Sequence, residues 1–141
     1  MTLHEHFDKV MLESVNIALA TSVNQRPNVR VVTFAYDPTI TGRFFFTTFK
    51  GSQKGREFEQ NPHVACMPLP MTPEAELQVR IFGTVQKSNL TLDQIIALIA
   101  KKIPGDADTI KAGGDMMDIY EIHFPEAFVT VGMTEAQLIA F

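Results

Sequence analysis

One cysteine, Cys66, stands in a chain of 141 residues. That scarcity excludes an intramolecular disulfide and any cysteine-based metal cluster. Cys66 lies in the apolar run HVACMPL, where a buried, inert thiol is expected. No apolar stretch is long enough to span a bilayer, and no charged n-region leads into an apolar h-region. The expectation is a soluble, cytoplasmic protein with no membrane partner. An excess of base is missing as well. Lys and Arg number 12 against 16 Asp and Glu, for a net charge of −4, so the overall field gives no support to nucleic-acid binding. A local basic cluster therefore needs a local explanation. No Ser/His/Asp or Cys/His arrangement stands out either. His4 and His6, two residues apart on an expected helix, point to different faces and predict no metal pair. His63 and His123 read as structural or surface histidines. No catalytic residue and no metal site is assigned.

What is present is ordinary for a globular protein: 45% hydrophobic and 20% charged residues, enough for one domain over residues 1–141 with a real core. Leu3, Phe7, Val10, Met11 and Val15 form one apolar stripe at helical spacing over 3–15, and Thr2 with Glu5 fits a capping box at the N-terminus. Short β-branched and aromatic runs follow at 17–23, 29–36 and 43–48, with NQRP and DPTITG as turns, which argues for an antiparallel meander. A short helix over about 52–60 is stopped by Asn61-Pro62. Strands at 63–69 and 76–86 are joined by a proline-containing loop. A helix within 89–102 carries Thr91 and Gln94 in capping-box spacing. Residues 103–116 are rich in Gly and Asp and read as a loop, dispensable for folding and bordering the substrate opening. Strands at 117–124, 128–133 and 137–141 close the chain. The order α-βββ-α-ββ-α-βββ predicts one sheet curled into a small barrel.

The stretch FFFTTFKGSQKGREFEQNPHV, 44–64, gathers Lys50, Lys54 and Arg56 among Gly51, Ser52 and Gly55. A strand ending in Thr47-Thr48 runs into a turn, and a helix starts with Ser52 as a suitable N-cap. Such a terminus offers unpaired N–H groups and the positive end of the macrodipole. Lysine and arginine in a first turn are otherwise of the wrong sign, disfavoured by up to about 1 kcal/mol each, and an anion would reverse that cost. Charge and spacing leave two readings open, a solvated basic loop and a built phosphate site. It is not a P-loop, because no Gly-Lys-Ser/Thr follows at the required spacing. Arg30 interrupts an apolar strand, where a face toward water is the plain expectation. Its planar fork also suits phosphate oxygens. Alternation places Gln78 and Arg80 on one face and Val79 and Ile81 on the other. Gly83 suggests a bulge or a close backbone approach.

Three elements in order, LATSVNQRPNVRVVTF, then FFFTT with SQKGREFEQNPHVAC, then QVRIFGTV, resemble the pyridoxamine 5′-phosphate oxidase-like family of FMN-binding split barrels. The resemblance covers about residues 15–87 and implies a mainly β fold, a Greek-key-like antiparallel split barrel with flanking helices. It implies that Arg30 and Lys54 grip the FMN phosphate, with Ser52 and Gln53 in the same loop. Thr47 and Thr48 would line the flavin and its phosphate tail. The backbone of Val31, Val32 and Thr33 would run beside the ring system, and Gln78 would hydrogen-bond the ring. The pattern departs from the true oxidases in three places. The chain has no Trp, it has no Arg or Lys after Lys111, and Ala35 stands where those enzymes carry a lysine. Vitamin B6 oxidation is therefore not expected, and the short general-stress and flavin-reductase-like proteins are the nearer match. The resemblance implies a homodimer with flavin at the subunit interface, acting as an oxidoreductase on a small-molecule substrate. A flavin-binding sensor or electron carrier, and the same barrel holding deazaflavin F420 or haem, remain open. Phe44, Phe45, Phe46 and Phe82 cannot all enter one small core by alternation, so some are expected to meet the partner.

Overall fold

Period-2 alternation and capped amphipathic runs organise the chain as α1 (Leu3–Glu13), β1 (Asn16–Val23), β2 (Arg26–Thr33), β3 (Arg43–Phe49), α2 (Gln53–Gln60), β4 (His63–Pro68), β5 (Leu77–Lys87), α3 (Leu92–Ala100), α4 (Pro104–Gly113), a 3-10 turn at Gly114–Met116, β6 (Met117–His123), β7 (Glu126–Val131) and β8 (Gln137–Ala140). These elements belong to a computed structural model that describes residues 1–69 and 77–141. The proline-containing loop expected over 70–75, and Glu76 at the head of the expected 76–86 strand, lie outside the described residues.

The helices begin where the sequence caps them. Thr2 accepts a hydrogen bond from the Glu5 amide at 3.1 Å, and Thr91 and Gln94 make both bonds of a capping box at 2.8 and 3.2 Å. The β1–β2 turn is tighter than NQRP suggested. Asn24 and Gln25 take φ of 52° and 65°, and Arg26 and Pro27 already belong to β2. Pro27 is tolerated because β2 pairs with β1 alone along this stretch.

The antiparallel strands run in the order β2-β1-β4-β5-β6-β3, with β7 joining β5 and β8 joining β7. Strand β5 is shared along its length: Leu77–Ile81 pair with β7, Ile81–Thr84 with β4 and Thr84–Lys87 with β6. Gly83 sits at this handover, where a Cβ would fall 2.4 Å from the His123 carbonyl oxygen. The anticipated close approach is therefore present. Among the described residues the curled sheet closes through one bridge, Ala35 with Phe45, whose two N–H···O bonds measure 2.7 and 2.9 Å. The result is the expected antiparallel split barrel with helices around it.

Inward positions fill the barrel with Ile17 and Leu19 from β1, Val79, Ile81 and Val85 from β5, and Phe44 and Phe46 from β3. Phe58 of α2 packs edge-on against Phe46 and Tyr120, which anchors that helix. Phe45 points the other way, yet it is 2% exposed. It belongs to a second cluster with Ala35, Ile95, Ile99 and Ile110 beneath α3 and α4. The three consecutive phenylalanines thus divide between two cores of one chain, and of the four residues from which a partner contact was expected, Phe82 is the one left half exposed. Lys102, just past α3, donates to the carbonyls of Met11 and Ser14 at 2.8 Å each and lies 3.5 Å over the Phe34 ring. It ties α3 to the end of α1.

Residues 103–116, expected as a dispensable loop, form α4 and the 3-10 turn instead. Pro104 opens the helix, Asp106 in the first turn and Lys111 in the last suit the macrodipole, and Ala107 and Ile110 are buried. The polar, glycine-rich composition concealed a two-residue apolar stripe that needs α3 to cover it.

Candidate cofactor site

Strand β3 delivers Thr47 and Thr48 to a turn, and the turn delivers Ser52 to the start of α2. Ser52 Oγ accepts from the Gly55 amide at 3.2 Å, as its N-cap role requires. The amides of Gln53 and Lys54 keep no backbone partner among the described residues. Phe58, one turn after Lys54 and on the same side of α2, fixes the helix against the core. Lys54 makes no hydrogen bond or ion pair among the described residues. Burial first, and then the nearby charge of Arg30, lowers its ammonium pKa below the ordinary lysine value.

Beside Lys54 opens a cavity of about 320 Å³. Val31, Val32 and Thr33 of β2 form one wall, and Thr47, Thr48 and Phe49 of β3 form another. Ile99 of α3, with Asp106, Thr109 and Ile110 of α4 and Met117 beyond it, closes the third side. Six of the ten residues singled out from sequence are therefore brought together here.

Arg30 is not among the residues that line this cavity. Its register opposite Leu19 turns it toward the barrel end that α2 covers, and its side chain is 20% exposed. The guanidinium donates to Thr21 Oγ1 at 2.9 Å, to the Leu19 carbonyl at 3.3 Å and to Glu57 Oε2 at 2.6 Å. Glu57 also accepts from Thr21, from Asn28 at 3.1 Å and from Gln53 at 3.2 Å. The Thr21 hydroxyl foremost, then Asn28 and Arg30, draws the Glu57 carboxyl down to about 2 despite its partial burial. Gln53 thus faces away from the cavity, toward a polar groove between α2 and the β1–β2 hairpin. Arg56 turns back to the Gly51 carbonyl. Gln78 stands apart on β5, opposite Thr130 of β7.

Gln78 shares the outer face of the sheet with an apolar belt. Val29, Val31, Met67 and Phe82 are 64, 56, 40 and 50% exposed, and a shallow groove of about 230 Å³ runs among Ala18, Ala20, Ala65 and Phe82. No helix among the described residues is long and apolar enough to cross a membrane.

Residues 10–136 match the family described as pyridoxamine 5′-phosphate oxidase-like. The chain belongs to that family. Its fold recurs in solved structures. HutZ, the haem storage protein of Vibrio cholerae, superimposes with a TM-score of 0.73 at 20% identity, over 96% of this chain and 100% of HutZ. General Stress Protein 26 of Bacillus anthracis gives 0.75 at 14% identity, over 100% of both chains. ChuZ of Campylobacter jejuni gives 0.76 at 21%, over 98% of this chain and 59% of ChuZ. At these identities the likeness is one of fold. No curated protein matches the chain in sequence.

Two parts of this family member's site escaped the sequence reading. The α4 wall was hidden by the loop assignment, although Pro104, the Ala107/Ile110 pair and Gly113-Gly114 are readable helix signals. The partnership of Glu57 with Arg30 joins residues on separate elements, and local spacing gives no sign of it.

Proposed function

We propose that the chain, as one domain over residues 1–141, binds FMN and acts as an FMN-dependent oxidoreductase on a small-molecule substrate, in a homodimer. The observation that carries this reading is Lys54. It is a partly buried cation with no partner among the described residues, at a helix N-terminus and beside a cavity of about 320 Å³. That setting suits a phosphate monoester, which accepts from free amides and a lysine together. Lys54, Ser52 and the flanking Arg30 bound the phosphate end, and Gln53 offers it a backbone amide, its side chain being turned to Glu57. Thr47 and Thr48 face the sugar-alcohol tail, and Val31–Thr33 flank the ring. Bound flavin supplies hydride transfer at its ring N5, while the chain contributes binding, orientation and exclusion of water by Ile99 and Ile110.

The exposed belt of Val29, Val31, Met67 and Phe82 supports the homodimer, since a face so apolar favours burial against a second copy. Gln78 lies on this same face and outside the cavity of its own chain, which supports a role toward the flavin of the other protomer. Haem is the second reading, prompted by HutZ. Among the described residues lining the cavity, Met117 alone is of a type that ligates haem iron, which favours flavin. Deazaflavin F420 would use the same phosphate end.

The absorbance spectrum of freshly purified protein, followed by release and identification of the chromophore, tests the cofactor; a Soret band in place of flavin bands overturns it. Titration tests the site. Lys54→Ala weakens FMN about ten- to a hundredfold and leaves riboflavin nearly unchanged, whereas Lys50→Ala does much less. Equal losses for both ligands return the loop to a merely solvated role. Sedimentation at micromolar concentration gives twice the chain mass; a monomer that holds FMN overturns the dimer.

A further inference from the structure

Glu57 follows Lys54 by three residues on α2, a spacing at which lysine and glutamate side chains are neighbours. They form no ion pair. Glu57 turns to Arg30, 2.6 Å away, and collects Thr21, Asn28 and Gln53 as further donors. Donors from β1, β2 and α2 thus hold the carboxylate in one place, with its side chain 12% exposed. A fixed anion one turn along from a helix N-terminus repels any second anion that docks there. Arg30, its charge matched by Glu57, brings little net attraction to that second anion. Lys54 remains as the uncompensated cation at the cavity.

We infer that Glu57 is a specificity-determining residue that opposes phosphate at this site, and that Arg30 acts first as the screen that keeps Glu57 from the ligand. For its ligand the inference rests on the flavin reading above. Its consequence is a site that holds a phosphate-bearing cofactor less tightly than its cations suggest, and so allows exchange. It also gives Arg30→Gln a different meaning: that change loses affinity largely because it unmasks Glu57.

The test is a double-mutant cycle. FMN and riboflavin are titrated, by flavin fluorescence at two ionic strengths, into wild type, Arg30→Gln, Glu57→Gln and the double variant. Glu57→Gln is expected to tighten FMN about tenfold with riboflavin unchanged, a gain that shrinks with salt. Arg30→Gln weakens FMN about tenfold or more, and the double variant recovers most of that loss. If Glu57 instead aims Arg30 at the phosphate, Glu57→Gln weakens FMN and the double variant is no better than Arg30→Gln, which overturns the inference. Should Glu57→Gln alone fail to fold, the comparison of Arg30→Gln with the double variant reads the same coupling. Inorganic phosphate, followed by the amide resonance of Gly55, provides a flavin-free arm. The same order of affinities for phosphate, with no flavin bound by any variant, sinks the flavin reading and sustains the inference. Equal phosphate affinities in all four proteins overturn it.

Discussion

The two faces of β3 carry different kinds of packing. Phe44 and Phe46 enter a cluster that draws on the barrel strands, α1 and α2, whereas Phe45 enters a cluster of five buried residues beneath α3 and α4. Ile99 and Ile110 belong to that smaller cluster and also wall the cavity. The inner face is therefore where stability is concentrated, and the outer face is the one that borders the cavity. Regions with fewer buried apolar contacts open at lower free energy, and binding sites tend to be drawn from them.

The comparison is broken most directly at Phe46. Phe46→Ala is expected to cost about 3–5 kcal/mol in denaturant unfolding, because the closed barrel cannot collapse around the void. A loss under about 1 kcal/mol would put the two faces on equal terms. Glu57 is the next lever, on an element anchored inward by Phe58. Its folded pKa of about 2 lies below the ordinary glutamate value of about 4.3, so its stabilisation is complete above the higher value. It is lost as pH falls toward 2, by about 2–3 kcal/mol. Unfolding measured from pH 5 to 2 should show this slope in wild type and a shallower one in Glu57→Gln. Outside, Ile110→Ala should cost about 2 kcal/mol, the low end for such a change, since the residue lies at the cavity edge. The same variant should weaken FMN, whereas Val79→Ala in the barrel should not do so beyond its effect on folding. The smallest effect is expected at Gly114, which ends α4 with φ of 51°. Gly114→Ala should cost about 1 kcal/mol, read as a small drop in Tm.

The inner face was the more legible of the two. Alternation in β1 and β5 reports burial directly, since every second residue of Ile17–Thr21 and Val79–Ile81 points inward. Ser52 and Thr91 announce their helices by local chemistry, which sequence spacing preserves. Phe44–Phe46 broke the alternation, and the cause was a second core that needs α3 and α4 in place. Helix α4 carries readable end signals in Pro104 and Gly113-Gly114, but its two-residue apolar stripe shows its use only once α3 is there to pack on. Arg30 is legible as a lone cation in an apolar strand, but its partner comes from a helix 27 residues on. Spacing along α2 suggests a Lys54–Glu57 pair, and tertiary structure overrides that suggestion.

The bridge between Ala35 and Phe45 has a mechanical consequence. Elsewhere the barrel strands are joined by runs of several rungs, so no single hydrogen bond matters greatly. Here a circumference is latched by one rung, and both of its residues lie under α3 and α4. The helices work as a clasp over a seam. Prising them away leaves two hydrogen bonds to hold the cylinder shut, so the amides of Ala35 and Phe45 should be the first of the barrel to exchange with solvent deuterium, ahead of any strand interior.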